Sequence, residues 1–188
     1  MAVAAPDRLH YTPNDEANEL IAHDPLALLI GFALDQQVTV GTAFLGPWKL
    51  KERLGTLDAA EIAHMDPDRL EGAFREKPAV HRFPGAMATR VRDLAAHVEE
   101  EYDGDASRLW LEAGDSAELR RRIAALPGFG EMKIKAFSAV LYKRFGVETA
   151  RELTPSHPTL GDVDSPEALE HYQALKREYK AKMRAQQG

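Results

Sequence analysis

The segment Leu126-Pro127-Gly128-Phe129-Gly130 has the residue types of an anion-binding turn. Proline fixes φ, while Gly128 and Gly130 permit positive φ and leave no β-carbon in front of the backbone. The amides of the turn and of the residues that follow it can therefore point outward together and bind a phosphate. Lys133 and Lys135 would add positive charge without reading the base sequence. The alternative is an ordinary corner between two helices, whose glycines only permit the turn.

The segments on both sides of this turn are predicted to be helices. Asp115-Ser116 is a start signal for AELRRRIAAL, and EMKIKAFSAVLYKRF after the turn carries apolar residues at helical spacing. Together they predict a helical hairpin over about 117–146, in which Phe129 packs into the core.

Helical signals also dominate the rest of the chain. An almost wholly apolar stretch follows Asp24-Pro25, and a long helix is predicted from about Ala86 to Tyr102. The other predicted helix starts are Thr39, Asp58, Asp66-Pro67 and Asp164-Ser165-Pro166-Glu167. Since no segment shows the alternation of a β-strand, the predicted fold class is all-α.

Composition fits one compact domain, or two lobes that share one core, because the chain has 188 residues of which 44% are hydrophobic. With no cysteine, disulfides, thiolate metal centres and iron–sulfur clusters are excluded. No apolar run approaches the ~20 residues that span a bilayer, and the start, MAVAAPDRLHYTPNDE, lacks the order of a secretory signal. We therefore expect a cytoplasmic monomer with no membrane partner.

The net charge of −6 argues against nucleic-acid binding only when it is averaged over the chain. Residues 117–146 contain seven basic and two acidic side chains, and residues 173–188 contain five basic side chains and one acidic side chain. The sequence therefore predicts a basic face that attracts phosphates. The alternative for either run is a solvated helix surface.

The turn resembles the helix-hairpin-helix motif of the endonuclease III and 3-methyladenine DNA glycosylase superfamily (HhH-GPD), whose consensus is close to L-P-G-hydrophobic-G. Upstream, LLIGFALDQQVTVGTAFLGPWKL is similar to the family's paired helices with a glutamine-bearing turn, particularly the QQVS segment of its alkylation-repair branch. Between them, FPGAMATRVRDLAAHV is similar to the family helix that follows a short glycine loop. These segments occur in the family's order and cover about Asp24 to Val147.

This resemblance implies an all-α fold of two helical lobes with a DNA cleft between them. The core lobe would comprise residues 24–147, and a smaller lobe would combine 1–23 with 148–188. The implied activity is base-excision DNA repair: a DNA glycosylase that hydrolyses the N-glycosidic bond of a damaged base flipped from duplex DNA. The QQVT segment weakly favours alkylated purines as the damaged base.

In that family Gln36 or Gln37 would enter the duplex and fill the space left by the flipped base. An amide suits this role because it both donates and accepts hydrogen bonds. The alternative is a polar helix end. The residues expected to contact DNA are Gln36, Gln37, Leu126, Gly128, Phe129, Gly130, Met132, Lys133 and Lys135.

Glycosylases of this family use an aspartate at the start of the helix after the hairpin. It stabilises the positive charge that develops on the sugar and helps to activate the attacking water. Asp164, in Val163-Asp164-Ser165, is similar to the family's VDT and is the catalytic candidate. Asp162 is the alternative, since the preceding loop is longer than in typical members. Asp164 could also serve only as a helix cap.

In bifunctional members the residue two positions after the last glycine of the turn is a lysine that forms a Schiff base. Here that residue is Met132, and each step along a helix turns a side chain by ~100°, so neither Lys133 nor Lys135 should reach the same point. We therefore expect a monofunctional glycosylase without AP-lyase activity.

No cofactor is expected, although a monovalent cation at the hairpin turn is allowed for. The expected partner is double-stranded DNA containing a damaged base. A competing interpretation is a DNA-binding module that uses the same scaffold without chemistry.

Overall fold

The computed structural model describes residues 5–188, and within them the chain is all-helical, with no strand. The expected all-α class is therefore confirmed. The α-helices are α1 (Asp15–His23), α2 (Pro25–Leu34), α3 (Val40–Leu54), α4 (Ala59–His64), α5 (Pro67–Arg75), α6 (Pro84–Tyr102), α7 (Arg108–Leu111), α8 (Ser116–Ala124), α9 (Glu131–Lys143) and α10 (Pro166–Gln186). Two short 3₁₀ helices, Glu148–Leu153 and Leu160–Asp162, lie between α9 and α10.

Polar side chains start the helices where the sequence predicts them. The Asp24 carboxylate accepts hydrogen bonds from two N–H groups in the first turn of α2, at 3.0 and 3.2 Å. The Thr39 hydroxyl accepts one from the first turn of α3 at 3.2 Å. The carboxylates that cap α4, α5 and α8 in the same way belong to Asp58, Asp66 and Asp115. Because first-turn N–H groups have no partner inside a helix, each cap fixes the residue at which its helix begins.

Helix α2 lies at the centre of the hydrophobic core, since every residue from Leu26 to Leu34 is buried. It packs on α3 and α6. The Phe32 ring lies 5.1 Å, edge to face, from the rings of both Phe44 in α3 and Phe137 in α9. Helix α2 therefore joins the N-terminal helices to the hairpin in one core.

Helix α1 and the two 3₁₀ helices pack on different helices of the core. Helix α1 packs on α2 and α3, whereas both 3₁₀ helices pack on α9. The Tyr11 hydroxyl donates a hydrogen bond to the Leu160 carbonyl at 2.9 Å, so the N-terminal segment reaches the second 3₁₀ helix. Of the lobe that the sequence predicts from 1–23 and 148–188, residues 1–4 lie outside the described part of the chain.

Within residues 5–188, no single helix is long and apolar enough to cross a membrane. Helices α1 and α2 have the required length and composition only as a pair, and a bend of 114° separates them. The apolar composition of α2 is accounted for by its burial in the core.

Candidate nucleic-acid interface

Two apolar side chains of the turn between α8 and α9 anchor it to the hydrophobic core. Leu126 and Phe129 are buried, as predicted for Phe129, and the Phe129 N–H donates to the Leu126 carbonyl at 3.1 Å. Gly128 has a φ of +80°, a conformation that glycine adopts without strain. Gly130 has a φ of −90°, so only one of the two glycines uses the left-handed conformation that the sequence allowed for both.

The N-terminus of α9 is open. Gly130 is its N-cap residue and supplies no side chain, and a β-carbon built there would meet nothing within 4 Å. The N–H groups of the first turn therefore face a space that an anion can enter. Glu131 lies in this turn, but its charge is balanced by an ion pair with Arg120. Met132 is 86% exposed at the same end of the helix.

The two glutamines form a tip between α2 and α3. Gln37 is exposed and has a φ of +57°, which is uncommon for a residue other than glycine. Gln36 is half-buried, and its Nε2 lies 3.2 Å from the Met87 sulfur in α6. Gln37 is thus the residue of the pair that projects from the surface.

A buried histidine fixes the backbone of this tip. His81 is 2% exposed, and its Nε2 lies 3.1 Å from the carbonyl oxygens of both Leu34 and Gln36. Its Nδ1 accepts a hydrogen bond from the Phe83 N–H at 3.0 Å. Since Nδ1 accepts, the proton of the neutral ring is on Nε2, which donates to the tip carbonyls.

The hairpin contacts the last turn of α2, just before the tip. Lys133, in the first turn of α9, is half-buried, and its Nζ lies 3.5 Å from the Ala33 carbonyl and 5.6 Å from the centre of the Phe129 ring. Arg90 of α6 lies against the turn, because a β-carbon on Gly128 would be 2.8 Å from its Cδ. Lys133 therefore points towards α2, whereas Lys135 is exposed.

A carboxylate that the sequence analysis did not single out lies beside the tip. Asp35 is the C-cap residue of α2 and is half-buried, and its carboxylate makes no hydrogen bond or ion pair with the described residues. Burial raises the pKa of Asp35, in spite of the positive charges of Lys176, Lys133 and Lys180. Burial also lowers the pKa of Lys133. Lysines from α9 and α10 therefore face this carboxylate without pairing with it.

The chain doubles back along α9 before it reaches the predicted catalytic residue. The second 3₁₀ helix lies so close to α9 that a β-carbon on Gly161 would be 2.6 Å from the Ala139 carbonyl oxygen. Asp164 follows three residues later and is exposed, and it makes no hydrogen bond with the described residues. Ser165, not Asp164, caps α10, since its hydroxyl accepts from the Ala168 N–H at 3.0 Å.

Asp162 has a different environment. Its Oδ1 lies 2.6 Å from the Lys143 Nζ, and its Oδ2 accepts from the Thr159 N–H at 2.8 Å. Burial alone would raise the pKa of Asp162, but the hydrogen bonds from Lys143 and Thr159 outweigh it and hold this pKa below the ordinary value. The Asp162 carboxylate therefore holds the second 3₁₀ helix together, whereas the Asp164 carboxylate is free for other contacts.

The geometry combines an open helix N-terminus, a projecting amide and basic side chains on neighbouring elements. These are group types that can contact a phosphate backbone. Within the described residues, no group of three or more histidine, aspartate or glutamate side chains is arranged to hold a metal ion. Comparison of the chain with protein-family models, with curated proteins and with solved structures finds no match.

Proposed function

We propose that the chain is a monofunctional DNA glycosylase of base-excision repair, built on an HhH-GPD-like fold with a DNA cleft between two helical lobes. The contact between the hairpin and the last turn of α2, which directly precedes the glutamine tip, carries this proposal. The Lys133 Nζ lies 3.5 Å from the Ala33 carbonyl, and the rings of Phe32 and Phe137 pack 5.1 Å apart beneath it. A glycosylase must grip the backbone and fill the gap of a flipped base within one short stretch of duplex, and this contact supports both.

In the proposed complex the hairpin binds one phosphate through its backbone. The first-turn N–H groups of α9 donate to the phosphate oxygens, and the helix dipole favours the negative charge. The open space at Gly130 admits the phosphate. Gln37 then enters the duplex, because it is exposed and its backbone is held through the neighbouring Gln36 carbonyl.

Asp164 is the proposed catalytic carboxylate. The bond from the sugar C1′ to the base nitrogen breaks, the base leaves with the electron pair, and the oxygen of a water molecule bonds to C1′. Asp164 stabilises the positive charge on the sugar and accepts a proton from that water. Asp162 is the weaker candidate because its charge is already engaged by Lys143 and the Thr159 N–H.

The absence of lyase chemistry belongs to the same proposal. The first-turn position that a Schiff-base lysine would take is occupied by Met132, which is 86% exposed. The Lys133 amine is turned towards α2. The product is therefore an abasic site on an uncut strand.

One observation favours a second candidate function, a DNA-binding module without chemistry. Asp164 lies on an exposed surface and has no partner within the described residues that would orient its carboxylate. Orientation would then have to come from the bound DNA.

A panel of duplexes, each with one lesion, distinguishes the two functions. The purified chain is incubated with alkylated, oxidised and deaminated bases, and the free base is measured. Release of at least one damaged base, with alkylated purines tested first, is the expected result. Tight binding of duplex DNA without release of any base would support the binding module instead.

A further inference from the structure

Helix α10 lies on the surface of the protein along its whole length. It has 21 residues, and none of them is buried. Its contacts with other elements involve mainly the second 3₁₀ helix, and Ala168, Leu169 and Tyr172 pack against the core. Further along, Tyr179 is 64% exposed and Met183 is 41% exposed. The second half of the helix therefore has surfaces that the rest of the chain does not cover.

One face of this second half is basic. Lys176, Lys180 and Arg184 are spaced four residues apart, which places them along one side of a helix, and Arg177 lies beside them. Eight residues separate the first from the last, so the stripe is about 12 Å long at 1.5 Å per residue. Lys182 lies about 200° around the helix from Lys180, on the opposite side.

These cations differ from most arginines in the body of the protein. Arg8, Arg53, Arg75, Arg108, Arg120, Arg122 and Arg151 each have a carboxylate within 4 Å. Within the described residues, no such ion pair involves Lys176, Arg177, Lys180 or Arg184. Unpaired cations in a row are the usual footprint of a surface that binds anions outside its own chain.

Lys176 and Lys180 of this stripe, together with Arg177, lie in one wall of a groove beside the glutamine tip. The groove has a volume of about 280 Å³ and is lined by Gln173, Lys176, Arg177 and Lys180 on one side and by residues 38–40 on the other. Gln37 immediately precedes this second wall. The groove is therefore continuous with the surface through which the tip would enter DNA.

We propose that the groove between α10 and residues 38–40 binds the phosphodiester backbone of DNA beside the glutamine tip. This inference rests on the proposed function, since it adds a second backbone contact to the one at the hairpin. Three cations lie in the groove, and Lys176 and Lys180 are about 6 Å apart along the helix axis, which matches the axial length of roughly two phosphates of one strand at 3.4 Å each. A concave wall of cations fits a charged strand, whereas a flat bilayer surface would leave the groove unfilled.

Two substitutions in the same helix test the proposal. Lys180→Gln and Lys182→Gln remove the same charge two residues apart, but only Lys180 lines the groove. Affinity for an undamaged duplex is measured against salt concentration. Lys180→Gln is expected to reduce the slope of log K against log salt by about 0.9, the value for one phosphate contact, and Lys182→Gln to leave it unchanged. Equal effects of the two variants would overturn the proposal.

A triple variant, Lys176→Gln with Arg177→Gln and Lys180→Gln, should change the salt dependence of DNA binding more than Lys180→Gln alone. All three side chains are exposed, so the urea unfolding midpoint should stay at the wild-type value. The slope should fall by about 2.7 if each cation contacts one phosphate. A slope unchanged in the triple variant, or a loss of binding only to vesicles of anionic lipid, would refute the DNA groove.

The activity assay separates this proposal from the proposed function. If wild type releases a damaged base but the triple variant keeps the wild-type salt slope, the DNA-binding role of the groove is refuted and the glycosylase activity is supported. If the slope falls as expected but wild type releases no damaged base, the DNA-binding role of the groove is supported and the glycosylase activity is refuted.

Discussion

Replacing Gly130 by aspartate should separate the stability of the protein from its affinity for DNA. Gly130 is the N-cap residue of α9, and its φ of −90° is open to any residue. A β-carbon there has no neighbour within 4 Å. Aspartate is a better N-cap than glycine by a few tenths of a kcal/mol, and its charge at the helix N-terminus adds about 0.3–1 kcal/mol. The variant should therefore unfold at an equal or higher urea concentration.

The same carboxylate occupies the place where a phosphate would bind. A hydrogen bond to a charged group contributes about 1.5–3 kcal/mol, and each 1.4 kcal/mol is a factor of ten in affinity. Losing the phosphate contact should weaken duplex binding by about 10- to 150-fold. Fluorescence anisotropy with a labelled duplex measures this change.

Gly130→Asn is the matched control, since asparagine has the shape of aspartate and caps a helix equally well without charge. It should weaken DNA binding much less than Gly130→Asp does. Equal affinities of the two variants would refute the phosphate site and leave the turn as a corner between helices.

Three further predictions test other parts of the structure. Because burial raises the pKa of Asp35, its ionised form costs stability at neutral pH, and that cost disappears below the unfolded pKa near ~4. Asp35→Asn should therefore raise the free energy of unfolding at pH 7 and have little effect on it at about pH 3. An equal gain at both pH values would show that the Asp35 charge is not the cause. Gly161→Ala should lower the free energy of unfolding in urea by about 1–3 kcal/mol, because its β-carbon would lie 2.6 Å from the Ala139 carbonyl; wild-type stability would show that the second 3₁₀ helix moves freely. Borohydride should not trap the wild-type chain on DNA, since Met132 replaces the Schiff-base lysine and Lys133 faces α2; a trapped complex would overturn the monofunctional assignment alone.

The helix starts could be predicted from the sequence because a cap is a local signal. Asp24, Thr39 and Asp115 each accept from the first turn of the helix that they precede. Between Asp164 and Ser165 the sequence left the cap of α10 open, and the structure assigns it to Ser165. The two 3₁₀ helices were not predicted, since they are short and are held by packing on α9 rather than by a repeating pattern.

The site was harder to predict because its parts come from distant segments. Asp35 was not predicted as a site residue, because its electrostatic environment depends on lysines from α9 and α10. Its one local signal is an acid directly after an apolar helix and directly before Gln36. That Lys133 points inward could have been predicted from the spacing of residues along α9. Lys133 lies four residues before the buried Phe137, hence on the same face of α9.

The most direct test of the account is the rate of base release by Asp164→Asn under single-turnover conditions. Asparagine keeps the size of the side chain and removes its charge, while Ser165 retains the cap of α10. On a lesion that wild type releases, the rate should fall by about 10²–10³ with duplex affinity unchanged, whereas Asp162→Asn should have a much smaller effect. A wild-type rate in Asp164→Asn would contradict the catalytic assignment.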